Sequence, residues 1–300
     1  MTSRSMDRRG FGVLALGTVG AVATARQVMA AQVWTPLWNG RDLTGWTTWM
    51  QRPEPTSDVP GLAKDASGKY TEPIGSGRDP LKVFTVVPDV DGKPAIRVSG
   101  EVFGELRTTR SFKDYHLKLQ FKWGDRKWAP RDAATTPRDS GLLYHVHAAP
   151  GVDGRTWARS VELQIQEHDV GDLYAIGSTV AVRAKARRVG QQLEYTYDPA
   201  ANWTYFTQDQ GSPGRCIKQP DNEKPKGEWN TVELVCLGRE SIHIVNGRVV
   251  MRLSDPQRID GPVLTSVTSG PIILQSEGSE LFYRDVAVRS IKAVPAEYRS

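Results

Sequence analysis

The sequence contains only two cysteines and five histidines, and no uncharged apolar run reaches the roughly 18 residues of a membrane-spanning helix. The low cysteine content excludes a disulfide-dense small domain, and no CxxC pair or Cys/His cluster indicates structural zinc. With 39% hydrophobic and 24% charged residues, the composition also excludes disorder and collagen. A chain of 300 residues with this composition can bury a substantial core.

An excess of positive charge is missing from most of the chain. Four of the 39 basic residues and one of the 34 acidic residues lie within positions 1–30, so the formal charge of +5 belongs mainly to that segment. A nucleic-acid-binding surface needs basic residues clustered on one face. We therefore predict no nucleic-acid partner.

The first 30 residues have the pattern of a targeting segment. Arg8 and Arg9 precede Phe11, an uncharged Gly- and Ala-rich core covers 11–25, and small residues around Ala30 suit cleavage. We predict a twin-arginine export signal over residues 1–30, with a mature chain starting near Ala31. The protein is then expected in the periplasm or outside the cell, without a membrane span.

The two cysteines, Cys216 and Cys236, have two open interpretations. An exported protein meets an oxidising compartment, where a bridge could stabilise the fold by about 3 kcal/mol. Cys236 also lies in an apolar run, where a buried free thiol behaves as a small hydrophobic residue.

Apolar residues alternate with polar ones along much of the mature chain. Residues 116–123, 141–147 and 161–166 have this pattern, as do the runs that begin at Thr231 and Ser241. Such alternation is typical of strands with one buried and one solvated face.

Turn signals complete the prediction of an all-β protein. Asn246-Gly247 between two alternating runs indicates a two-residue hairpin, and no long stretch has helical periodicity. We predict a β-sandwich in a single domain over residues 31–300.

Three stretches rich in Pro, Gly and charge, 47–80, 124–139 and 198–228, are predicted to be long loops. Aromatic residues in or beside loops can stack on a sugar ring, although we expect most of them to pin their loops to the sandwich. These aromatics are Trp128, Trp157, Trp203, Tyr205 and Phe206.

The strand predicted over 161–166 carries the most informative polar residues. Its alternation places Glu162, Gln164 and Gln166 together on the face opposite to Val161 and Leu163. Glu and Gln are poor strand formers, so three of them on one face favour a carbohydrate site over an ordinary solvated face.

Two other segments supply further candidates. A His-x-His pair, His145 and His147, is predicted on one strand face, where it could bind a metal or act as acid and base. Near the C-terminus the alternation places Gln275 and Glu277 on one face, and Arg284 follows.

Several blocks together resemble one family, the 3-keto-disaccharide hydrolase domains, in the order in which that family has them. The chain departs from the pattern with Ser276-Glu277, where many members have Asp-His, and with Asp139, where many have Asn. The matching blocks are WTPLWNGRDLTGW, SGLLYHVH, SVELQIQEHDVGDLY, GEWNTVELVCLGRESIHIVNGRVV and GPIILQSEGSELFYRDVAVRSI.

The resemblance implies a concanavalin A-like jelly roll that acts on glycosides oxidised to a ketone at C3. A C3 ketone acidifies the proton on C2, so a base can remove it while the C1 substituent leaves, and water can then add to the enone. A divalent metal is a natural holder of the enolate oxygen. The substrate would come from an upstream sugar 3-oxidoreductase.

The residues that match the family blocks are the predicted site. Glu162 and His145 are expected to act as base, acid or metal ligands, with no further division of roles. Sugar oxygens are expected to bind to Gln164, Gln166, Gln275, Glu277 and Arg284.

Two alternatives remain. The spacing of Glu162, Gln164 and Glu167 is similar to the strand of retaining glucanases on the same jelly roll, but Gln164 stands where their central Asp tunes the other carboxylates. The other alternative is a sugar-binding module without catalytic activity, which uses the same aromatics and amides.

Overall fold

The computed structural model describes residues 33–208 and 213–299. The predicted export signal, residues 1–30, lies outside this part of the chain. Within it, regular structure is nearly all β-strand, with two short 3-10 helices, Val152–Gly154 and Ala296–Tyr298. The strands in chain order are β1 (Thr35–Pro36), β2 (Trp46–Met50), β3 (Gly75–Ser76), β4 (Phe84–Val90), β5 (Lys93–Val98), β6 (Gly104–Thr108), β7 (Phe112–Lys113), β8 (Tyr115–Lys127), β9 (Asp139–Tyr144), β10 (Ser160–Gln166), β11 (Leu173–Ile176), β12 (Ser178–Val189), β13 (Gln192–Tyr197), β14 (Trp203–Phe206), β15 (Arg215–Cys216), β16 (Asn230–Leu237), β17 (Glu240–Val245), β18 (Arg248–Asp260), β19 (Val263–Ser266), β20 (Ser269–Gly270), β21 (Ile273–Ser276) and β22 (Ser279–Ser290).

The strands form two main antiparallel sheets. The larger sheet has 12 strands in the order β13-β12-β18-β17-β16-β8-β22-β5-β4, with β1 on β22, β14 on β12 and β19 on β18. The smaller sheet has eight strands in the order β15-β11-β10-β9-β21-β6-β2-β3, and β20 pairs with β7 separately. In the smaller sheet β21 lies between β9 and β6, so the C-terminal part of the chain enters the centre of that sheet.

The hydrophobic core lies between the two sheets. Leu119 of β8 and Leu234 of β16 pack in the same cluster as Leu142 of β9 and Leu163 of β10. A fully buried Leu stabilises the fold by about 1.5–3 kcal/mol relative to an exposed one. These contacts confirm the predicted all-β sandwich of the jelly-roll class.

The predicted strands and hairpin are confirmed. The alternating runs lie in β8, β10, β16 and β17, and β9 covers most of 141–147. Val245 pairs with Arg248 across the turn, where Asn246 has φ 48° and Gly247 φ 79°. Both values lie in the left-handed region that a type I′ hairpin turn requires.

The predicted loops are shorter than expected. Residues 47–50 belong to β2 and 124–127 to β8, while β14 and β15 lie within 198–228. Their sequences are locally rich in Gly and Pro, but pairing with a neighbouring strand outweighs this weak propensity.

Two of the loop aromatics pin the chain as expected. The indole N–H of Trp128 donates to the Ser99 carbonyl at 3.0 Å, and Trp157 stacks on Phe103 with ring centroids 6.0 Å apart. Phe206 is buried in the core, whereas Trp203 and Tyr205 are exposed.

The two cysteines are free and buried. The structure therefore supports the interpretation as buried free thiols and not as a disulfide bridge. Burial raises the pKa of the Cys236 thiol to about 12, so this thiol is protonated and unreactive at neutral pH. Neither helix in the described part of the chain is long and apolar enough to cross a membrane.

Candidate active site

The outer face of the smaller sheet carries the candidate site. In β10, Val161, Leu163 and Ile165 point into the core, as their alternation predicts. Glu162 and Gln164 therefore share the opposite face, yet both are buried, with exposures of 4% and 6%. A buried carboxyl on an outer sheet face costs desolvation free energy, which marks it as a candidate functional group.

Strand register brings distant residues to Glu162. Glu162 lies opposite Leu143 of β9 and Tyr174 of β11, while Gln164 lies opposite Gly141. On the other side of β9, β21 carries Gln275, which is fully buried. Apart from its contact with Glu162, which lowers the pKa of that carboxyl, its side-chain amide has no hydrogen-bond partner among the described residues.

Gly141 makes the contact between these side chains possible. A Cβ atom at position 141 would lie 2.0 Å from Glu162 Oε1 and 2.3 Å from Gln275 Oε1. Both distances are far below van der Waals contact. The space above Gly141 is therefore filled by the two functional groups, which meet across β9.

Two more carboxyls and one cation complete the cluster. Arg131, in the connection between β8 and β9, forms ion pairs with Asp139 and, at 2.6 Å, with Glu277. Gln166 Nε2 donates to Asp139 Oδ2 at 2.6 Å. The side chain of Arg131 is 23% exposed, so it links the buried carboxyls to the surface. Asp139 and Glu277, which depart from the family pattern, meet at this one guanidinium.

The three carboxyls hold protons more tightly than free ones. Burial raises the pKa of Glu162 well above its usual range, and the charges of Glu277 and Asp139 raise it further. Burial and the charge of Glu277 likewise raise the pKa of Asp139. Burial also raises the pKa of Glu277, although Arg131 opposes this shift. The cluster is thus a set of interacting acids, each of which holds its proton more tightly because of burial and of its neighbours.

Glu105 and Arg131 also belong to the site, although neither is among the residues predicted from the sequence. Glu105 of β6 lies opposite Gln275 and is fully buried. Its Oε1 accepts a hydrogen bond from the Ala158 backbone N–H at 2.8 Å, and burial raises its pKa to about 7. Because Leu106 of β6 packs in the core, alternation places Glu105 on the opposite face, and this placement could have been predicted from the sequence. Arg131 lies in a connection, where no periodicity indicates its direction.

Replacing Glu105 by Gln is expected to remove a pH dependence of stability. Because the pKa of Glu105 rises from 4.5 to about 7 on folding, its favourable contribution is complete below 4.5 and is lost as pH rises through 7. Above pH 7 the variant should exceed the wild type in unfolding free energy by something on the order of 2–3 kcal/mol. Urea unfolding from pH 4 to 8 measures this difference. The same substitution at exposed Glu54 is the control, and equal curves for Glu105→Gln and wild type would contradict the prediction.

The prediction that His145 and His147 share one strand face is wrong. β9 ends at Tyr144, and His145 has φ 52°, in the left-handed region, so the alternation stops there. Burial lowers the pKa of His145 to about 4, and the charges acting on its ring are His147 and Asp114. The structure therefore does not bring His145 to Glu162.

Arg284 also lies away from the cluster. Tyr283 of β22 points into the core, where its hydroxyl is 2.8 Å from Ser140 Oγ, so Arg284 points to the outer face of the larger sheet. There its guanidinium donates to Gln120 Oε1 at 2.8 Å and lies 3.7 Å from the ring centre of Trp229. The cation beside Glu162 is instead Arg131.

No preformed site for the predicted divalent metal is present in the described structure. Among residues 33–208 and 213–299, no three His, Cys, Asp or Glu side chains are placed to hold an ion together. Of the two predicted ligands, Glu162 lies in the acidic cluster, whereas His145 follows the end of β9. The metal stays a prediction from the chemistry.

Fold and site together define a class of protein: a jelly-roll sandwich with acidic and amide side chains buried on the outer face of its smaller sheet. The model of the 3-keto-α-glucoside-1,2-lyase-like domain matches residues 33–289. The chain belongs to this family, which confirms the resemblance of the sequence blocks. Membership supports a carbohydrate-active enzyme of hydrolase type.

Several solved structures are similar in outline. A predicted glycosyl hydrolase of Parabacteroides distasonis is 17% identical over 86% of this chain and 94% of its own, with a TM-score of 0.45. A second from that organism has 17% identity, coverage of 86% and 100%, and a TM-score of 0.44. LamAcat of Zobellia galactanivorans has 10% identity, coverage of 87% and 98%, and a TM-score of 0.41. No curated protein matches the sequence significantly.

Proposed function

We propose that the protein cleaves 3-keto-glycosides by β-elimination, with Glu162 as the base that removes the proton on C2. The observation that carries this proposal is the placement of Glu162, buried beside the carboxyls of Asp139 and Glu277 and in contact with the Gln275 amide. Family membership supplies the substrate class. A carboxylate suffices as base because the ketone at C3 acidifies the proton on C2.

The raised pKa of Glu162 suits this role. Proton transfer from a carbon acid to a carboxylate is more favourable when the carboxyl holds its proton tightly. Only the ionised form of Glu162 can act as base, so the rate is expected to rise with pH on the acidic side of the profile, at a pKa that burial places above the usual range for Glu. Loss of protonated Asp139 lowers the rate again at higher pH, and a profile without the rising acidic limb would contradict the role of base.

The neighbouring groups have complementary roles in the proposal. The C2–H electrons form the C1=C2 double bond through an enolate, the C1–O bond breaks, and the departing oxygen takes a proton. Asp139, whose pKa is also raised, is the acid that donates this proton. The Gln275 amide and Arg131 hold the enolate oxygen, where fixed donors stabilise developing charge. Addition of water across C1=C2 then gives net hydrolysis.

The test uses the purified full chain and a 3-keto-disaccharide. Proton NMR follows the enone and the released C1 substituent, with and without a chelator. We expect release with both treatments, because the residues described here can act without a metal. Release that stops with the chelator and returns on adding a divalent cation would overturn this metal-free assignment. Sugar binding without any release would instead favour the binding module.

Location and partner are part of the same proposal. The twin-arginine pattern of residues 1–30 supports export, and a periplasmic or secreted enzyme meets glycosides outside the cytoplasm. Because its substrate carries a ketone at C3, an oxidoreductase that oxidises the C3 hydroxyl must act before it.

A further inference from the structure

A groove lies on the outer face of the larger sheet, whereas Glu162 lies on the smaller sheet. Trp203 and Tyr205 of β14 are 49% and 55% exposed, and they are the two aromatics among the large exposed hydrophobic side chains of the described residues. Residues 203 and 205 share one face of β14, while Phe206 points into the core. Single exposed apolar side chains are common, but two neighbouring exposed aromatic rings form a patch of the kind that marks a binding site.

Strand register explains why a groove forms beside these rings. Tyr205 lies opposite Ala181 of β12, Ala181 opposite Ser254 of β18, and Ser254 opposite Glu240 of β17. The two central positions of this row have small side chains and the two outer positions have large ones. The row therefore forms a shallow trough across four strands, with Glu240 at one end and an aromatic wall at the other. From this wall the Tyr205 hydroxyl donates to Asp255 Oδ2 at 3.5 Å.

The trough has the size and lining of a ligand site. Its cavity is about 480 Å³, within the range of small-molecule sites. Trp203 and Tyr205 line it together with Arg239, Glu240 and Asp255. Arg239 forms an ion pair with Asp255, so hydrogen-bonding groups are held at its rim.

Trp203 is also held in place. The Arg183 guanidinium lies 4.7 Å from the centre of its ring, and Arg183 lines a neighbouring cavity but not the trough. The cation therefore holds the indole in place without lining the trough itself. A ring that is fixed before binding loses little conformational freedom when a ligand stacks on it.

We propose that this trough is a second, non-catalytic binding site for a neutral glycan. A sugar ring presents apolar C–H groups on one face and hydroxyls around its edge, which match an aromatic wall and a rim of paired charges. An entirely apolar ligand would remove water from the charged rim of Arg239, Glu240 and Asp255 without replacing its hydrogen bonds, and a strongly charged one would meet both signs of charge. The site would hold a glycan on the larger sheet while Glu162 acts on the smaller one.

Titration calorimetry with cellohexaose and maltohexaose, two neutral oligosaccharides, tests the proposal on the full chain. Trp203→Ala and Tyr205→Ala are each expected to weaken binding of at least one of them by about tenfold or more. Trp229→Ala is the matched control, because Trp229 packs on Arg284 elsewhere on the same sheet. Glu162→Gln should bind the oligosaccharide as the wild type does.

The outcomes separate this site from the proposed activity. Wild-type protein that binds neither oligosaccharide, or binding unchanged in Trp203→Ala, would overturn the trough as a glycan site. Binding lost in Glu162→Gln but not in Trp203→Ala would place the sugar in the acidic cluster instead. A dimer that Trp203→Ala converts to a monomer, with no sugar binding, would show a protein contact. Cleavage of the 3-keto-disaccharide is measured in a separate assay. If no cleavage is found, the calorimetry still tests glycan binding to the trough.

Discussion

Glu162→Gln is expected to lower the rate of C1 substituent release by about 10³-fold, within the range that general bases contribute. Gln has nearly the same volume and keeps hydrogen-bonding capacity, but it cannot accept the C2 proton. Since burial already favours the neutral form of Glu162, the substitution should not destabilise the fold. The 3-keto-disaccharide assay measures the rate, and sugar binding to the variant is expected to persist.

Glu167→Gln is the matched control for this experiment. Glu167 follows β10 and is paired with Arg138, whose guanidinium donates to it at 3.0 Å. The glucanase alternative gives Glu167 the role of second catalytic carboxyl, whereas the elimination gives it none. We therefore expect Glu167→Gln to retain activity within a factor of about three, since it loses only a partly exposed ion pair. Equal loss in both variants, with a substrate that carries no C3 ketone, would favour the glucanase mechanism.

Gly141→Ala is expected to remove most of the activity without unfolding the protein. The added methyl group would occupy the place of Glu162 Oε1 and Gln275 Oε1, so both side chains must turn away from each other. These atoms are the ends of flexible side chains, and the loss of stability should stay near 1–3 kcal/mol. A misplaced base can cost about 10²-fold in rate. Activity and urea unfolding measured on the same sample separate the two effects.

Gly270→Ala provides the comparison. Its Cβ would lie 2.5 Å from the Val146 carbonyl oxygen, so this clash is with backbone that cannot turn away. Gly270→Ala should therefore lose more stability than Gly141→Ala, and its folded fraction should keep the chemistry of the acidic cluster. Full activity in Gly141→Ala would show that the contact of Glu162 with Gln275 is not needed.

The parts of the site that lie within one strand were predictable. Alternation along β10 placed Glu162, Gln164 and Gln166 on one face, because side chains of a strand alternate whatever it packs against. The same rule failed at His145, where a left-handed residue ends the strand. Position 145 carries no Gly or Asn that would have marked this change in the sequence.

The sequence by itself determined the alternating strands β8, β10, β16 and β17 with their buried faces, the hairpin at Asn246-Gly247 and the family, since these depend on local alternation, turn residues and motif order. Only the tertiary structure decided which strands are neighbours. The insertion of β21 between β9 and β6 brings Gln275 and Glu277 to Glu162. Arg131 reaches the same cluster from a connection without periodicity, and Arg284 is carried to the other sheet. Strand order follows from packing over the whole chain, and local sequence does not encode it.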